Sequence, residues 1–207
     1  MRTRGSPALA DRTASVQRTT DETDVTVTVD IDGTGHFEGS TGIGFLDHML
    51  AQIAKHGMFD LDVTATGDLN VDGHHTAEDV GITLGKACND ALGDRAGIAR
   101  MADATVPMDE ALANVAVDLA GRDHLSFDAE FQQDAIGDLE TSLIEHFIGS
   151  FARHLGAAVH VRLLAGRDDH HKAEAIFKAL ARALDGATAL DPRREGQVPS
   201  TKGTLET

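Results

Sequence analysis

The sequence predicts an α+β fold made by internal duplication, in which a strand-strand-helix-strand-helix unit occurs twice. Three observations predict it. Residues 25–31 (VTVTVDI) alternate apolar and polar side chains, as a half-buried strand does. Phe45, Leu46, Met49, Leu50 and Ile53 recur at helical spacing. The same order of elements then returns after residue 98, and individual residues return with it.

The elements follow in order. The 25–31 strand meets a turn at 32–35 (DGTG), and 36–40 return as a second strand. Residues 41–44 lead into a helix over 45–56 with Gly57 as its stop. A strand at 61–65 (LDVTA), a polar loop or edge segment at 67–73, and a helix over 75–92 ending at Gly93 complete the first half. Residues 97–107 read as a connector, and 110–119 with 124–131 as a second strand pair. A helix at 142–155 stops at Gly156, a strand follows at 158–164 (AVHVRLL), and a helix runs over 172–184. The halves are thus about 16–98 and 99–192 of a single domain spanning 16–205, with a polar tail at 193–205. Residues 1–15 read as a loose extension.

Composition bounds the function. The chain has 207 residues, 41% of them hydrophobic, enough for a substantial core. Its net charge of −16 argues against nucleic acid as a partner, because phosphate contacts need a basic face. Only five of its eighteen basic residues are lysines, a pattern that fits a high-salt habitat, where counterions screen self-repulsion. No run approaches the ~18 apolar residues of a membrane span, so no membrane is expected. The single cysteine, Cys88, reads as a buried helix thiol, which fits a reducing cytoplasm.

The chemistry gathers in a repeated pattern. Asp72-Gly-His-His-Thr-Ala-Glu-Asp79 and His170-His-Lys-Ala-Glu174 both carry His-His-x-x-Glu. On a helix each residue turns the side chain by about 100°. His74 therefore shares a face with Glu78, and His170 with Glu174, while His75 and His171 aim elsewhere. Phe45-Leu-Asp-His48 and Leu143-Ile-Glu-His146 are matched as well, His48 standing 26 positions before His74 and His146 standing 24 before His170. Divided evenly, the repeat predicts one site of His48, His75, His170 and Glu174, and another of His74, His146, His171 and Glu78. Whether each set comes from one subunit or several is left open. Three imidazoles and a carboxylate suit Mn, Fe, Co, Ni or Zn. His36, His56, His124, His154 and His160 lie outside the His-His-x-x-Glu motifs and, as lone histidines, read as ordinary core or surface residues.

Four motifs in order, Gly42-Ile-Gly-Phe-Leu-Asp-His-Met-Leu50, the 72–79 stretch, His170 to Lys178, and Pro199-Ser-Thr-Lys-Gly203, resemble the imidazoleglycerol-phosphate dehydratase family over about 18–205. The resemblance implies four helices packed between two mixed four-stranded sheets. It implies dehydration of imidazole glycerol phosphate to imidazole acetol phosphate in histidine biosynthesis. It also implies two divalent metal ions per active site, Mn2+ foremost, and a homo-oligomeric cage of 24 subunits. By the same resemblance, the eight repeat residues are the metal ligands and Glu22 is an acidic active-site residue, with Glu78 or Glu174 able to assist in proton transfer. Gln52 and Lys178 line the substrate pocket, and Arg100, Arg122, Ser200, Thr201 and Lys202 hold phosphate. The sequence departs from the family pattern at its N-terminal extension, at Arg122-Asp-His124, where a proline often follows the arginine, and at Arg167-Asp168-Asp169. Two other readings account for the same ligands: a binuclear metallohydrolase, and a metal-stabilised shell without catalysis.

Overall fold

The computed structural model describes residues 11–194 and 196–205. The extension expected over 1–15 lies outside the described residues as far as residue 10, and residues 13–15 already belong to a strand. Strands β1 (Thr13–Thr19), β2 (Thr23–Asp30) and β3 (Phe37–Ser40) precede helix α1 (Gly44–Gly57). Strand β4 (Asp60–Gly67) and helix α2 (His74–Leu92) follow. The second half has β5 (Met101–Met108), β6 (Ala111–Asp118) and β7 (His124–Asp128), then a short hairpin of β8 (Ala135–Ile136) and β9 (Leu139–Glu140). It ends with α3 (Ser142–Leu155), β10 (Ala158–Ala165) and α4 (Asp169–Thr188).

Each four-stranded sheet therefore carries one strand more than the pattern read from the sequence, and the second half adds the β8–β9 hairpin as well. β1 was not distinguished from the extension, and β5 replaces the connector expected at 97–107. Both are edge strands whose inward side chains, such as Ala14, Val16, Ala102 and Ala104, are small or only half-buried. Their alternation is correspondingly weak. Pro107 is tolerated in β5 because an edge strand can do without one backbone donor.

The duplication is complete at the level of topology. One sheet has the order β1-β2-β4-β3 and the other β5-β6-β10-β7. In each, the last pair is parallel and the others antiparallel. Val25, Val27, Val29 and Val63 line the inner face of the first sheet, and Ala113, Val115, Val159 and Val161 that of the second, all essentially without exposure.

The four helices lie between the sheets and pair across the halves, α1 with α4 and α2 with α3. Glycines on α2 set the second of these contacts. On α2, a Cβ at Gly81 would stand 2.8 Å from the Phe147 carbonyl oxygen, and one at Gly85 would stand 2.6 Å from that of Phe151. Only glycine lets α3 approach this closely. Helix α1 has no side-chain cap of its own. Asp138, on the β8–β9 turn, instead accepts the N–H groups of Gly44 and Phe45 at 2.7 and 2.9 Å. The second half thus caps the helix that carries His48, and a carboxylate at that positive end is favourable. The expected stop at Gly57 is displaced by one residue: Gly57 ends the helix, and Met58 takes the left-handed cap at φ 58°. A side chain at Gly57 would collide with the Phe59 ring at 2.7 Å.

One buried ion pair joins the start of α4 to the loop after β7. Lys172 Nζ stands 2.7 Å from Asp169 Oδ1, and their side chains are 4% and 1% exposed. Lys172 also donates to the Glu130 carbonyl, and Asp169 Oδ2 accepts the N–H groups of Gln132 and Gln133. Replacing Lys172 by Met keeps volume and strands the Asp169 charge. Loss of one partner of such a pair costs about 3–5 kcal/mol. The two amides left on Asp169 place the expectation near the lower end, readable in chemical denaturation of the metal-free protein.

Candidate metal centre

The two helix pairs bring together two equivalent clusters. Where α1 meets α4, His48 Nε2 and His170 Nε2 each lie 3.2 Å from Glu174 Oε2. Phe45, Leu46, Met49 and Leu50 are buried on the same helix and hold His48 in register. Asp47, next to it, accepts the Thr41 N–H at 2.7 Å and the Ser40 hydroxyl at 2.8 Å. Where α2 meets α3, the His74 and His146 rings have centroids 4.4 Å apart, and His146 Nε2 lies 3.6 Å from Glu78 Oε1. In each cluster the three ligand atoms lie within 4.8 Å of one another.

Two imidazoles and a carboxylate converging in this way form a donor set for a divalent ion. One observation favours an ion over a hydrogen-bond network. His146 Nε2 is buried and has no hydrogen-bond partner. A buried polar atom of this kind normally has one, and a metal ion would supply it.

The first turns of α2 and α4 are built alike. Asp72 Oδ1 accepts the His74 N–H at 2.8 Å, and Asp168 Oδ1 accepts the His170 N–H at 2.8 Å. An aspartate two residues before the first histidine therefore satisfies a first-turn N–H of each helix, as the N-cap residue itself in α4 and from one residue before the Gly73 N-cap in α2. Both halves carry this Asp-x-His-His signal, in which the acid also suits the positive end of the helix.

The off-face histidines do diverge, as the helical angle predicts. Within one chain, however, neither joins the opposite cluster: each cluster holds three of the four expected ligands. His75 Nδ1 lies 3.0 Å from Asp68 Oδ2 and 3.7 Å from Glu22 Oε2. His171 Nδ1 lies 2.8 Å from Glu110 Oε2. The hydrogen bond to Asp68 raises the His75 pKa above its ordinary value, and the bond to Glu110 does the same for His171. Glu110 is itself pulled down to about 2 by the Asp168 N–H, His171 and the Arg167 N–H.

The two clusters are not identical. Lys178, one turn beyond Glu174, places its Nζ 2.6 Å from Glu174 Oε1. Burial disfavours charge on Glu174, but the bonds from Lys178 and His48 outweigh it and hold the carboxyl below its usual range. The matching position on α2 is Ile82, and Glu78 is the more exposed carboxylate, at 39% against 9%.

The other expected site residues lie as follows. Gln52 is half-buried on α1, one turn after His48. Glu22 is exposed in the β1–β2 turn beside His75. Arg122 is exposed just before β7. Arg100, at φ 76°, donates from Nε and Nη2 to Asp118 and from Nη1 to the Pro199 carbonyl. The tail is thereby fastened: Gly97 N–H donates to the Gln197 carbonyl, and Ser200 Oγ accepts the Lys202 N–H at 3.2 Å. Thr201 and Lys202 are exposed beyond it. Composition alone would read this tail as a loose end.

Comparison with known proteins agrees with the duplicated topology. The family model for imidazoleglycerol-phosphate dehydratase matches residues 41–184. The imidazoleglycerol-phosphate dehydratase of Dehalococcoides mccartyi strain CBDB1 is 54% identical over 198 residues, covering 96% of this chain and all of that one. That of Chloroflexus aggregans is 58% identical over 199 residues, covering 96% and 97%. The crystal structure of the Pyrococcus furiosus protein in complex with (S)-C348 aligns with a TM-score of 0.79 at 38% identity, over 91% of this chain and 99% of that one. The Staphylococcus aureus structure aligns at 0.78 and 34%, over 86% and 99%. The chain belongs to the imidazoleglycerol-phosphate dehydratase family of hydro-lyases.

Proposed function

We propose that this protein dehydrates D-erythro-imidazole glycerol phosphate to imidazole acetol phosphate and water in histidine biosynthesis, with two divalent ions per active site, Mn2+ foremost. The observation that carries the metal dependence is the pair of matched His-His-Glu clusters, one with a buried imidazole nitrogen that makes no hydrogen bond. His48, His170 and Glu174 would hold one ion, and His74, His146 and Glu78 the other. Bound ions would supply Lewis-acid stabilisation of negative charge on the substrate's imidazole ring.

The protein's own groups do the rest. Glu22 moves a proton between the substrate carbon and the departing oxygen, as a positioned carboxylate can. Glu78 and Glu174 are the candidates to assist. Gln52 and Lys178 orient the substrate from the helix faces that carry His48 and Glu174. Arg100, Arg122, Ser200, Thr201 and Lys202 bind the phosphate. Three of the five Arg100 donors are engaged by Asp118 and Pro199, which leaves two for a phosphate oxygen.

His75 and His171 stand apart from the clusters of their own chain, which supports sites completed by neighbouring copies in a homo-oligomer of 24 subunits. Among the described residues no helix is long and apolar enough to cross a membrane. We place the reaction in the cytoplasm.

Turnover with purified protein tests the reading. Ketone should form from the substrate without release of inorganic phosphate, and turnover should cease after chelation and return with Mn2+. Phosphate release without ketone would make the protein a hydrolase. Full turnover after complete metal removal would sink the metal dependence, and an unchanged particle mass would count against shared sites.

A further inference from the structure

The off-face histidines share a feature that the repeat motif does not explain. Each turns its Nδ1 onto a carboxylate, and the carboxylates come from unrelated places. Asp68 lies in the loop after β4, and Glu110 in the two-residue turn between β5 and β6. The on-face His48, His146 and His170 instead turn Nε2 toward their glutamates.

An ionised carboxylate only accepts hydrogen bonds, so the Nδ1 facing it must carry the hydrogen. In neutral imidazole the lone pair then sits on Nε2, the state a metal ligand requires. Glu110 is committed on both oxygens. Oε1 accepts the N–H groups of Arg167 and Asp168 at 3.0 and 2.8 Å, and Oε2 faces His171 Nδ1 at 2.8 Å. It joins the β5–β6 turn to the cap of α4 and sets the tautomer of one imidazole there.

We propose that Glu110 is a positioning residue of the metal centre, which holds His171 as the Nδ1–H tautomer and so presents Nε2 as a ligand. This rests on the reading of His171 as a ligand. The double commitment makes Glu110→Gln a sharp test. The amide oxygen must stay on the two backbone N–H groups, because the amide nitrogen cannot accept them. The NH2 group then faces His171 Nδ1 and favours hydrogen on Nε2, the nitrogen meant for the metal. Asp68→Asn is different: Asp68 Oδ1 has no hydrogen-bond partner, so nothing prevents the amide from turning its oxygen to His75.

The experiment is Mn2+ titration in competition with a chelator, beside melting of the metal-free protein, for wild type, Glu110→Gln, Asp68→Asn and His171→Ala. Glu110→Gln should weaken one class of site by about 10–100-fold, leaving metal-free melting close to wild type. Asp68→Asn should bind close to wild type. If His171→Ala loses a site and Glu110→Gln does not, the proposal is overturned while the ligand reading stands. If His171→Ala binds as wild type does, the ligand reading fails and the proposal with it. Equal loss in Glu110→Gln and Asp68→Asn would assign the effect to charge, and a matching loss of metal-free stability would assign Glu110 to the fold. Either result would overturn it.

Discussion

Replacing Glu22 by Gln should lower kcat by about 10²–10⁴-fold, the usual contribution of a positioned acid–base group, and leave the metal content unchanged. The substitution keeps size and removes only the proton-transfer capacity. The turn that carries Glu22 is firmly held. Thr20 Oγ1 accepts the N–H groups of Glu22 and Thr23, at 3.2 and 3.0 Å. Thr23 Oγ1 donates to Asp79 Oδ2 at 2.5 Å, and Arg18 Nε donates to Asp79 Oδ1 at 2.7 Å. Asp79 is buried on α2, one residue after Glu78. The turn is thus clamped to the helix that bears His74, His75 and Glu78. The Glu22 side chain is solvent-exposed beside His75 on a turn whose backbone is held, which suits the proton-transfer role proposed for it. Metal analysis and kcat on the same preparation decide the matter: undiminished kcat would remove Glu22 from the mechanism, and lost metal would make it a ligand instead.

His146→Ala is expected to lose the ion of the α2–α3 cluster and to spare the α1–α4 cluster. The variant leaves only His74 and Glu78 on that side. Lewis-acid stabilisation is worth several kcal/mol, and each 1.36 kcal/mol is tenfold in rate, so kcat/KM should fall by roughly 10²–10⁴-fold. Retention of both metal equivalents would refute the assignment. The metal-free fold should be nearly unaffected, because the wild-type Nε2 makes no hydrogen bond that folding needs. Metal uptake should also depend on pH with a definite sign. The ion pairs that raise His75 and His171 favour their charged rings. They stabilise the metal-free protein fully below the ordinary value of about 6.5, and that contribution is lost as pH rises through the raised folded values. In the proposed sites His75 and His171 bind the ion as neutral rings, so affinity should increase over the same interval. Mn2+ titrations at several pH values would read it.

Much of the fold was legible because its signals are local. The 25–31 strand announces itself by strict alternation, and α1 by the spacing of Phe45, Leu46, Met49, Leu50 and Ile53. The edge strands β1 and β5 were missed because half-buried Ala14, Ala102 and Ala104 give little contrast with their neighbours. The β8–β9 hairpin is too short to show a period. Gly81 and Gly85 stand four apart in the sequence, but their purpose depends on which helix comes to lie against them.

The same division runs through the site. His74 shares a face with Glu78, and His75 does not, because 3.6 residues per turn dictates it. The duplication, the ligand types and the pairing of His170 with Glu174 are likewise properties of the chain read as a string. The crossing of halves is not. His48 meets Glu174 because α1 packs on α4, and His146 meets His74 because Gly81 and Gly85 admit α3. Those contacts join residues 126 and 72 positions apart, and no local period encodes them. Only the tertiary structure decided that three ligands, not four, gather within one chain, and that Asp68 and Glu110 stand behind the two histidines left over.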